Sequence, residues 1–348
     1  MCATMTSHAT LGRRITIRDV AAAAGVSIGT VSRAMSGHPG ILPATREAVL
    51  AAVQHLGYVP DGAAQSLRLR QTRVIGCAVP LASHPVFTAM IAGAEERLRE
   101  AGYTMVLANT ADRPEREVEL LRFFQQRKVD GLIMTLGRED DPALARALQG
   151  LRFPVVLFER IAEGGFDSVL TDQAGGCFEA TSHLLRLGHR RIALVASGLS
   201  NWPGRERKQG FFRAYAVNGV DAAPAMLHTM ESPGDFTVDN ALALLEQPCR
   251  PTAIIIGAQE LISLLHAVRH RRLSIPADLS VISMGDSDFA ALIAPGISAL
   301  RWDGREEGRV AADILVERIA GDEAPSRRIV LPTRLVMRAS CSGPALVQ

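Results

Sequence analysis

Side chains able to do covalent or metal chemistry are sparse in this 348-residue chain, and none falls in a productive spacing. Gly285-Asp286-Ser287 is a tripeptide of the kind found in some hydrolases, but no paired histidine motif accompanies it. The nine histidines make no H-E-x-x-H spacing, which would put two imidazoles on one helix face for zinc. No G-x-G-x-x-G follows a strand-like run and there is no P-loop, so nucleotide chemistry has no support. Cys2, Cys77, Cys177, Cys249 and Cys341 lie far apart with no C-x-x-C pair. That argues against a zinc site or disulfide framework and fits a reducing cytoplasm. The residues therefore imply no enzyme, no cofactor and no metal, with a hydrolase built on Gly285-Asp286-Ser287 as a remote alternative.

What is concentrated is positive charge. The formal net charge of +2 hides an asymmetry. Residues 1–73 hold eight arginines against Asp19, Glu47 and Asp61, a net of +5, and the rest of the chain carries −3. A small basic segment ahead of a larger, mildly acidic one points to a nucleic-acid reader joined to something else, the other reading being an ordinarily solvated basic terminus. At 47% hydrophobic and 21% charged residues, the composition is that of a globular protein. No stretch approaches the roughly 18 apolar residues of a membrane span. Met1 to Leu11 lacks the charged-then-apolar pattern of a secretory signal, so a membrane or secreted protein is not expected.

The elements that must position the arginines begin at Thr16. Thr16 and Asp19 have capping-box-like spacing, and Ile17, Val20, Ala21 and Ala24 then mark one face of a short helix. Gly25 supplies the positive φ of a tight turn. Ser27 caps a second helix, Ile28 to Met35, with Val31 and Met35 facing inward. Residues 36–40 are loop chemistry, Pro43 pre-sets a first helical turn, and Val49, Ala52, Val53 and Leu56 line a third helix ended by Gly57. Helix, glycine turn, helix is the helix-turn-helix plan, whose second helix enters the major groove.

The run TIRDVAAAAGVSIGTVSRAMSG, followed by TREAVLAAVQHLGYVPDGAAQSLR, resembles the headpiece of the lactose-repressor/galactose-repressor family of bacterial transcription regulators. The resemblance implies that Ile28, Gly29 and Arg33 occupy base-reading positions. Arg33 has the fork for guanine O6 and N7, Ile28 offers apolar contact to a thymine methyl, and Gly29 permits close approach. Thr16, Ser27, Thr30 and Ser32 join the DNA-contacting set as phosphate or capping residues. Residues 61–68 resemble the family's hinge helix, with Ala64 and Leu67 at its DNA face and Leu67 as the minor-groove wedge. Gly62 departs from the pattern, since glycine inside a helix costs about 1 kcal/mol against alanine, which favours a hinge that folds on DNA.

From Val74 onward short apolar runs alternate with helical periodicity. Strands are expected at 74–79, 105–108, 131–135, 154–158, 192–196, 253–256 and 281–283, with helices from Phe87 to Ala101 and at 115–126, 176–187, 205–218 and 261–271. Two such series imply two parallel-sheet lobes with a ligand cleft beyond the strands' carboxyl ends. The resemblance continues here, through stretches such as HLLRLGHRRIALV and RERKQGFFRAY, and covers Thr16 to Arg338. It implies a periplasmic-binding-protein-like α/β effector domain of two doubly wound lobes. The chain crosses between them three times, and 301–332 returns to the first.

Carried over residue by residue, the effector candidates are Ser83, His84 and Phe87 after the first strand, Asp172, Arg207, Phe236, Gln259 and Asp286. The family has two adjacent acids after the strand at 281–283, where this chain reads Gly285-Asp286. The lost carboxylate removes an acceptor for sugar hydroxyls and favours a more acidic ligand.

The expected organisation is a disordered tail (1–15), an all-α helix-turn-helix headpiece (16–60) and a hinge and linker (61–73). The effector and dimerisation domain follows (74–338), with one lobe over 74–172 and 301–332 and the other over 173–300 and 333–338, then a C-terminal tail (339–348). The expected partners are pseudo-palindromic operator DNA, a second copy of the chain, and a sugar, sugar acid or sugar phosphate. The function implied is repression of a carbohydrate or sugar-acid catabolic operon, with activation through the same DNA binding as the alternative. Only ten residues follow Arg338 and none forms heptads, which points to a dimer and not a coiled-coil tetramer.

Overall fold

The computed structural model describes residues 15–58, 71–222, 227–230 and 235–344. Its contacts divide the chain into two compact units that meet in sequence between Thr72 and Arg73. Among the described residues no helix is long and apolar enough to cross a membrane.

The first unit is three helices: α1 (Ile17–Ala24), α2 (Ile28–Met35) and α3 (Pro43–Leu56). The Asp19 carboxylate accepts from both the backbone N–H and the hydroxyl of Thr16, each at 2.8 Å, which closes the first turn of α1. Gly25, at φ +66°, makes the turn into α2. Ser27 Oγ accepts from Thr30 N at 3.1 Å and caps α2. Val20, Ala21, Val31, Ala34, Val49 and Ala52 form the small core between the helices, and Met35 lies half-buried at its edge.

The second unit contains two six-stranded sheets. The first is built from β1 (Val74–Val79), β2 (Thr104–Asn109), β3 (Gly131–Met134), β4 (Val155–Phe158), β5 (Asp167–Thr171) and β11 (Arg328–Leu331), in the order β11-β5-β4-β3-β1-β2 and parallel throughout. The second holds β6 (Ile192–Ser197), β7 (Leu227–Met230), β8 (Ala253–Gly257), β9 (Ser280–Met284), β10 (Ser298–Arg301) and β12 (Arg334–Val336), in the order β12-β10-β9-β8-β6-β7. Only the β10–β12 pairing is antiparallel among the described strands. The chain crosses between sheets after β5, after β10 and after β11.

Central strands are buried on both faces, which is why they read as unbroken apolar runs. On one face of the first sheet, Met90, Ala94 and Leu98 of α4 (Pro85–Glu100) and Ala311, Ile314 and Leu315 of α12 (Gly304–Ile319) cover Ile75, Cys77, Ile133 and Val156. On the other, α5 (Pro114–Gln126) and α6 (Pro142–Gln149) cover Ala78, Leu132 and Leu157. The second sheet is clad by α7 (Gln173–Arg186) and α8 (Trp202–Val217) on one side and by α9 (Val238–Leu245) and α10 (Glu260–His270) on the other. A short α11 (Asp288–Leu292) follows β9.

Periodicity does not find β5, α6, β7, α9, β10, α11, β11 or α12. All but α12 are eight residues or fewer, too short for a period to emerge, and β7 is a half-exposed edge strand with no apolar run; α12, at sixteen residues, is not picked out either.

Two glycines set the helix spacing nearest the cleft. A Cβ on Gly308 would fall 2.0 Å from Met90 O, so α12 lies backbone to backbone on α4. A Cβ on Gly210 would fall 2.1 Å from Ala174 O, which seats α8 on α7 in the same way. After β9, Asp286 accepts from Arg301 Nε at 2.6 Å and from Arg338 Nη2 at 2.9 Å, tying the ends of β9, β10 and β12 together.

Two outcomes follow from this packing. Gly308→Val should lower the unfolding free energy by about 1–3 kcal/mol or more, because backbone cannot yield as a side chain does. Urea unfolding of the full-length protein checks this, and an unchanged midpoint would mean the helices part freely. Burial alone would raise the Asp286 carboxyl, but the hydrogen bonds from Arg338 and Arg301 outweigh it and hold the group below its ordinary value. A depressed folded-state value stabilises above the unfolded one and is lost as pH falls. Asp286→Asn should therefore lower the melting temperature at pH 7, with the difference closing below about pH 4. A difference constant with pH would mean that Asp286 acts by packing alone.

Candidate functional site

In the headpiece, α2 leaves an unusual face in solvent. Ile28 is 44% exposed, and Gly29 and Arg33 are exposed one helical turn apart. Arg33 Nε donates to Gly29 O at 3.2 Å, which lays the guanidinium along the helix surface. Thr30 and Ser32 are half-buried, and the Thr30 hydroxyl lies 2.9 Å from that of Ser27. Ser27, Thr30 and Thr16 thus serve helix starts, while Ile28, Gly29 and Arg33 are open to a partner. Ala64, Leu67 and Gly62 lie outside the described residues.

In the second unit the strand order fixes where a ligand can sit. Each sheet has a switch point, between β1 and β3 in the first and between β6 and β8 in the second, where successive connections leave in opposite directions. The loops after β1, β4, β6 and β8 converge on a cavity of about 90 Å³ lined by residues of both lobes. From the first lobe come His84, Phe87, Glu159 and Arg160. Asn201, Arg207, Glu260 and Trp302 close the other side, and Gln173, at the start of α7, stands between.

The polar groups are linked across the cavity. Arg207 Nε donates to Gln173 Oε1 at 2.9 Å, and Gln173 Nε2 donates to Glu159 Oε2 at 3.3 Å. Arg160 Nη1 donates to Glu159 O at 2.8 Å, pinning the guanidinium to the backbone. Glu159 sits at φ +53°, a left-handed conformation that costs a non-glycine residue about 1–3 kcal/mol and collects at functional sites. His84 caps α4, its Nδ1 accepting from Val86 N at 3.2 Å. Burial, and then the nearby Arg207 charge, push its imidazole down to about 4. At neutral pH the ring is therefore uncharged, with its proton on Nε2. Phe87 lies 5.4 Å from the His84 ring, centroid to centroid, and 6.1 Å from that of Phe158.

Beyond Arg160 and Asn201 the cleft opens into a second space of about 520 Å³ that includes Asp112, Arg138 and Ser200. Next to Arg138 in sequence, Glu139 joins the lobes, its Oε1 accepting from Trp202 N at 3.0 Å and Oε2 from Arg205 at 2.5 Å.

Of the effector candidates read from the sequence, His84, Phe87 and Arg207 line the cavity. Ser83 is exposed in a turn, and Asp172 is an exposed cap that accepts from Gly175 N at 2.7 Å. Phe236 is 5% exposed and packs into the core under α9 and α10, so it is no cleft wall. Gln259 precedes α10 outside the lining, where Glu260 turns inward. Asp286 lines an adjoining opening of about 280 Å³, with its carboxylate engaged by two arginines. Next to it, Ser287 Oγ accepts from Ala290 N at 3.2 Å and caps α11, a structural duty for that tripeptide. Among the described residues no group of three or more His, Cys, Asp or Glu is placed to hold a metal.

Sequence reasoning missed Glu159, Arg160, Gln173, Asn201, Glu260 and Trp302. A signal existed for the first two: they follow at once the buried strand Val155–Phe158, and the carboxyl end of such a strand is where ligands bind.

The family of bacterial regulatory proteins, lacI family, matches residues 16–61, and the periplasmic binding protein-like domain family matches residues 181–341. The HTH-type transcriptional regulator CelR of Thermobifida fusca is 33% identical over 341 residues, 94% of this chain and 98% of that protein. The solved complex of CelR with cellobiose has a TM-score of 0.70 at 31% identity, covering 94% of this chain and all of that one. A lac repressor dimer bound to operator and the anti-inducer ONPF has a TM-score of 0.84 at 25% identity, covering 95% and 100%. With an exposed α2 face in the headpiece and a polar cleft between two doubly wound lobes, the chain belongs to the lacI family of bacterial regulatory proteins, a family of DNA-binding transcription regulators and not of enzymes.

Proposed function

We propose that this chain represses a carbohydrate-related operon. It binds a pseudo-palindromic operator as a homodimer in the cytoplasm and changes its DNA affinity when a small hydroxyl-rich ligand occupies the cleft. Catalysis has no place in this reading. The observation that carries it is the Glu159–Gln173–Arg207 chain of hydrogen bonds, which gathers groups from both lobes around one cavity. A ligand bonded to both lobes favours one lobe arrangement over another, and only such differential binding can switch DNA affinity.

The charge of the walls argues for a neutral ligand. Arg160 and Arg207 are opposed by Glu159 and Glu260, so an anion would meet as many carboxylates as guanidinium groups. The acidic ligand expected from Gly285 rested on one missing carboxylate, and Glu159 and Glu260 supply that acceptor chemistry from other strands. Bidentate guanidinium and carboxylate groups suit vicinal hydroxyls. CelR, solved with cellobiose, is a relative whose ligand is of this class.

A second copy is supported by β2, an edge strand of the first sheet that exposes Val106 and Leu107 at 41% and 42%. Unpaired apolar edges of this kind seek cover. The lac repressor in the operator complex is a dimer, and a two-fold dimer demands two half-sites.

Two substitutions test the reading. On the site selected from random DNA by the wild-type protein, Arg33→Ala should cost about 1–3 kcal/mol of binding, and much less on unselected DNA. Equal losses on both would reduce Arg33 to a phosphate contact. In a thermal-shift screen of neutral sugars, sugar acids and sugar phosphates, a ligand at 100 times its Kd should stabilise the wild type by about 2.7 kcal/mol. Arg207→Ala should lose that shift and the ligand's effect on DNA binding while keeping basal DNA affinity. A variant that still responds at the wild-type ligand concentration would place the ligand elsewhere.

A further inference from the structure

Glu307, in the first turn of α12, has none of its surface exposed, and neither of its carboxyl oxygens receives a hydrogen bond. Every other charged side chain of that helix has a partner: Arg305 has Glu96, Glu306 has Arg309, Asp313 has Arg97, Glu317 has Arg327 and Arg318 has Asp167. The elements packed on α12 are α4, β3, β4 and β5. The charges of α4 and β5 on that face are those already paired, and β3 carries none. What faces Glu307 is Glu159, from the end of β4, with its carboxyl within hydrogen-bonding reach, and Asp303, the cap of α12 itself. Arg160 and Arg207, which line the cavity with Glu159, interact with its charge, and Glu307 is not part of that lining. Glu159 shows the complementary vacancy: Oε2 accepts from Gln173, while Oε1 is buried with no donor.

Two buried carboxyl groups in contact, with no cation assigned to one of them, cannot both be ionised at low cost. We propose that Glu307 and Glu159 hold a single proton between them, Glu307 donating to Glu159 Oε1, so that Glu159 meets the effector as a fixed, singly charged acceptor. Glu307 is then a positioning residue behind the cavity wall. The start of a helix favours an anion, yet burial and then the Glu159 charge raise the Glu307 carboxyl well above its ordinary range. Loss of the proton at higher pH leaves two negative charges side by side, and the strained Glu159 turn loses one of its anchors. The regulatory consequence, an effector site that weakens as pH rises, rests on the reading of the cleft given above. The shared proton does not.

The test needs no ligand and uses the full-length protein. Infrared spectra at neutral pH should show the carbonyl stretch of a protonated carboxylic acid that disappears in Glu307→Gln. Burial also raises Glu117, to about 7, so both spectra and melts are taken in a Glu117→Gln background. A folded-state value raised above the unfolded one gives stability that is full at low pH and lost as pH climbs. The parent should therefore lose melting temperature as pH rises above the ordinary carboxyl range, and Glu307→Gln, which keeps a donor to Glu159 without titrating, should flatten that slope. Glu159→Gln, which removes the like charge, should shrink it. A carboxylic acid band that survives Glu307→Gln, or a slope indifferent to Glu159→Gln, overturns the proposal. An Arg207→Ala protein that keeps its effector response would remove the cleft reading and leave these ligand-free results standing.

Discussion

Charge buried between two lobes is the constraint on which the rest of the effector unit depends. Glu159, Arg160 and Glu260 are 4%, 7% and 5% exposed. Taking such ions out of water costs several kcal/mol each, and the cost is offset only when partners stand at hydrogen-bond distance. Those partners come from different parts of the chain: Glu159 has Gln173 from the start of α7, which is itself bonded to Arg207 of α8, and Arg160 has the carbonyls of Leu136 and Glu159. The glycine contacts on α4 and α7 are what let the helices come close enough to deliver them. Parting the lobes would expose these groups to water again, which would offset part of the loss of their contacts. A well-packed apolar seam would hold the lobes shut regardless of ligand.

The headpiece meets a different limit. Its core is six residues, three valines and three alanines, and a unit this small buries little of its surface. Caps and turns therefore matter more than in the larger unit, which explains why Thr16, Asp19, Ser27 and Gly25 are occupied with the backbone. The residues left over, Ile28, Gly29 and Arg33, are the ones that the helix does not need. An isoleucine that is 44% exposed beside an arginine buries little within this unit, and the proposed DNA contact would give both side chains a surface with apolar and polar edges in the major groove.

Legibility from the sequence followed the range of the interactions. The headpiece helices, their caps and their glycine turns are set by residues within four positions of each other, and they were readable. Most central strands and most of the amphipathic helices that cover them were readable for the same reason, but β5 and α12 were not. Short or edge elements such as α6 and β7 take their form from neighbours far along the chain, and no local pattern marks them. Within the site, His84, Phe87 and Arg207 were found because the family resemblance carried them over, as it also carried over Ser83, Asp172, Phe236 and Gln259, which do not line the cavity.

Sequence alone determined the class of protein: a basic helix-turn-helix ahead of two α/β lobes, in a family of DNA-binding transcription regulators. Tertiary structure decided which polar residues share a cavity. It turned Glu260 inward where Gln259 was expected, sent Phe236 into the core, and bound Asp286 to Arg301 and Arg338. It also set Glu307 against Glu159, two acids 148 positions apart. The physical reason is that a buried charge is defined by what lies within a few ångströms of it, and in a chain that crosses between its lobes three times those neighbours are remote in sequence.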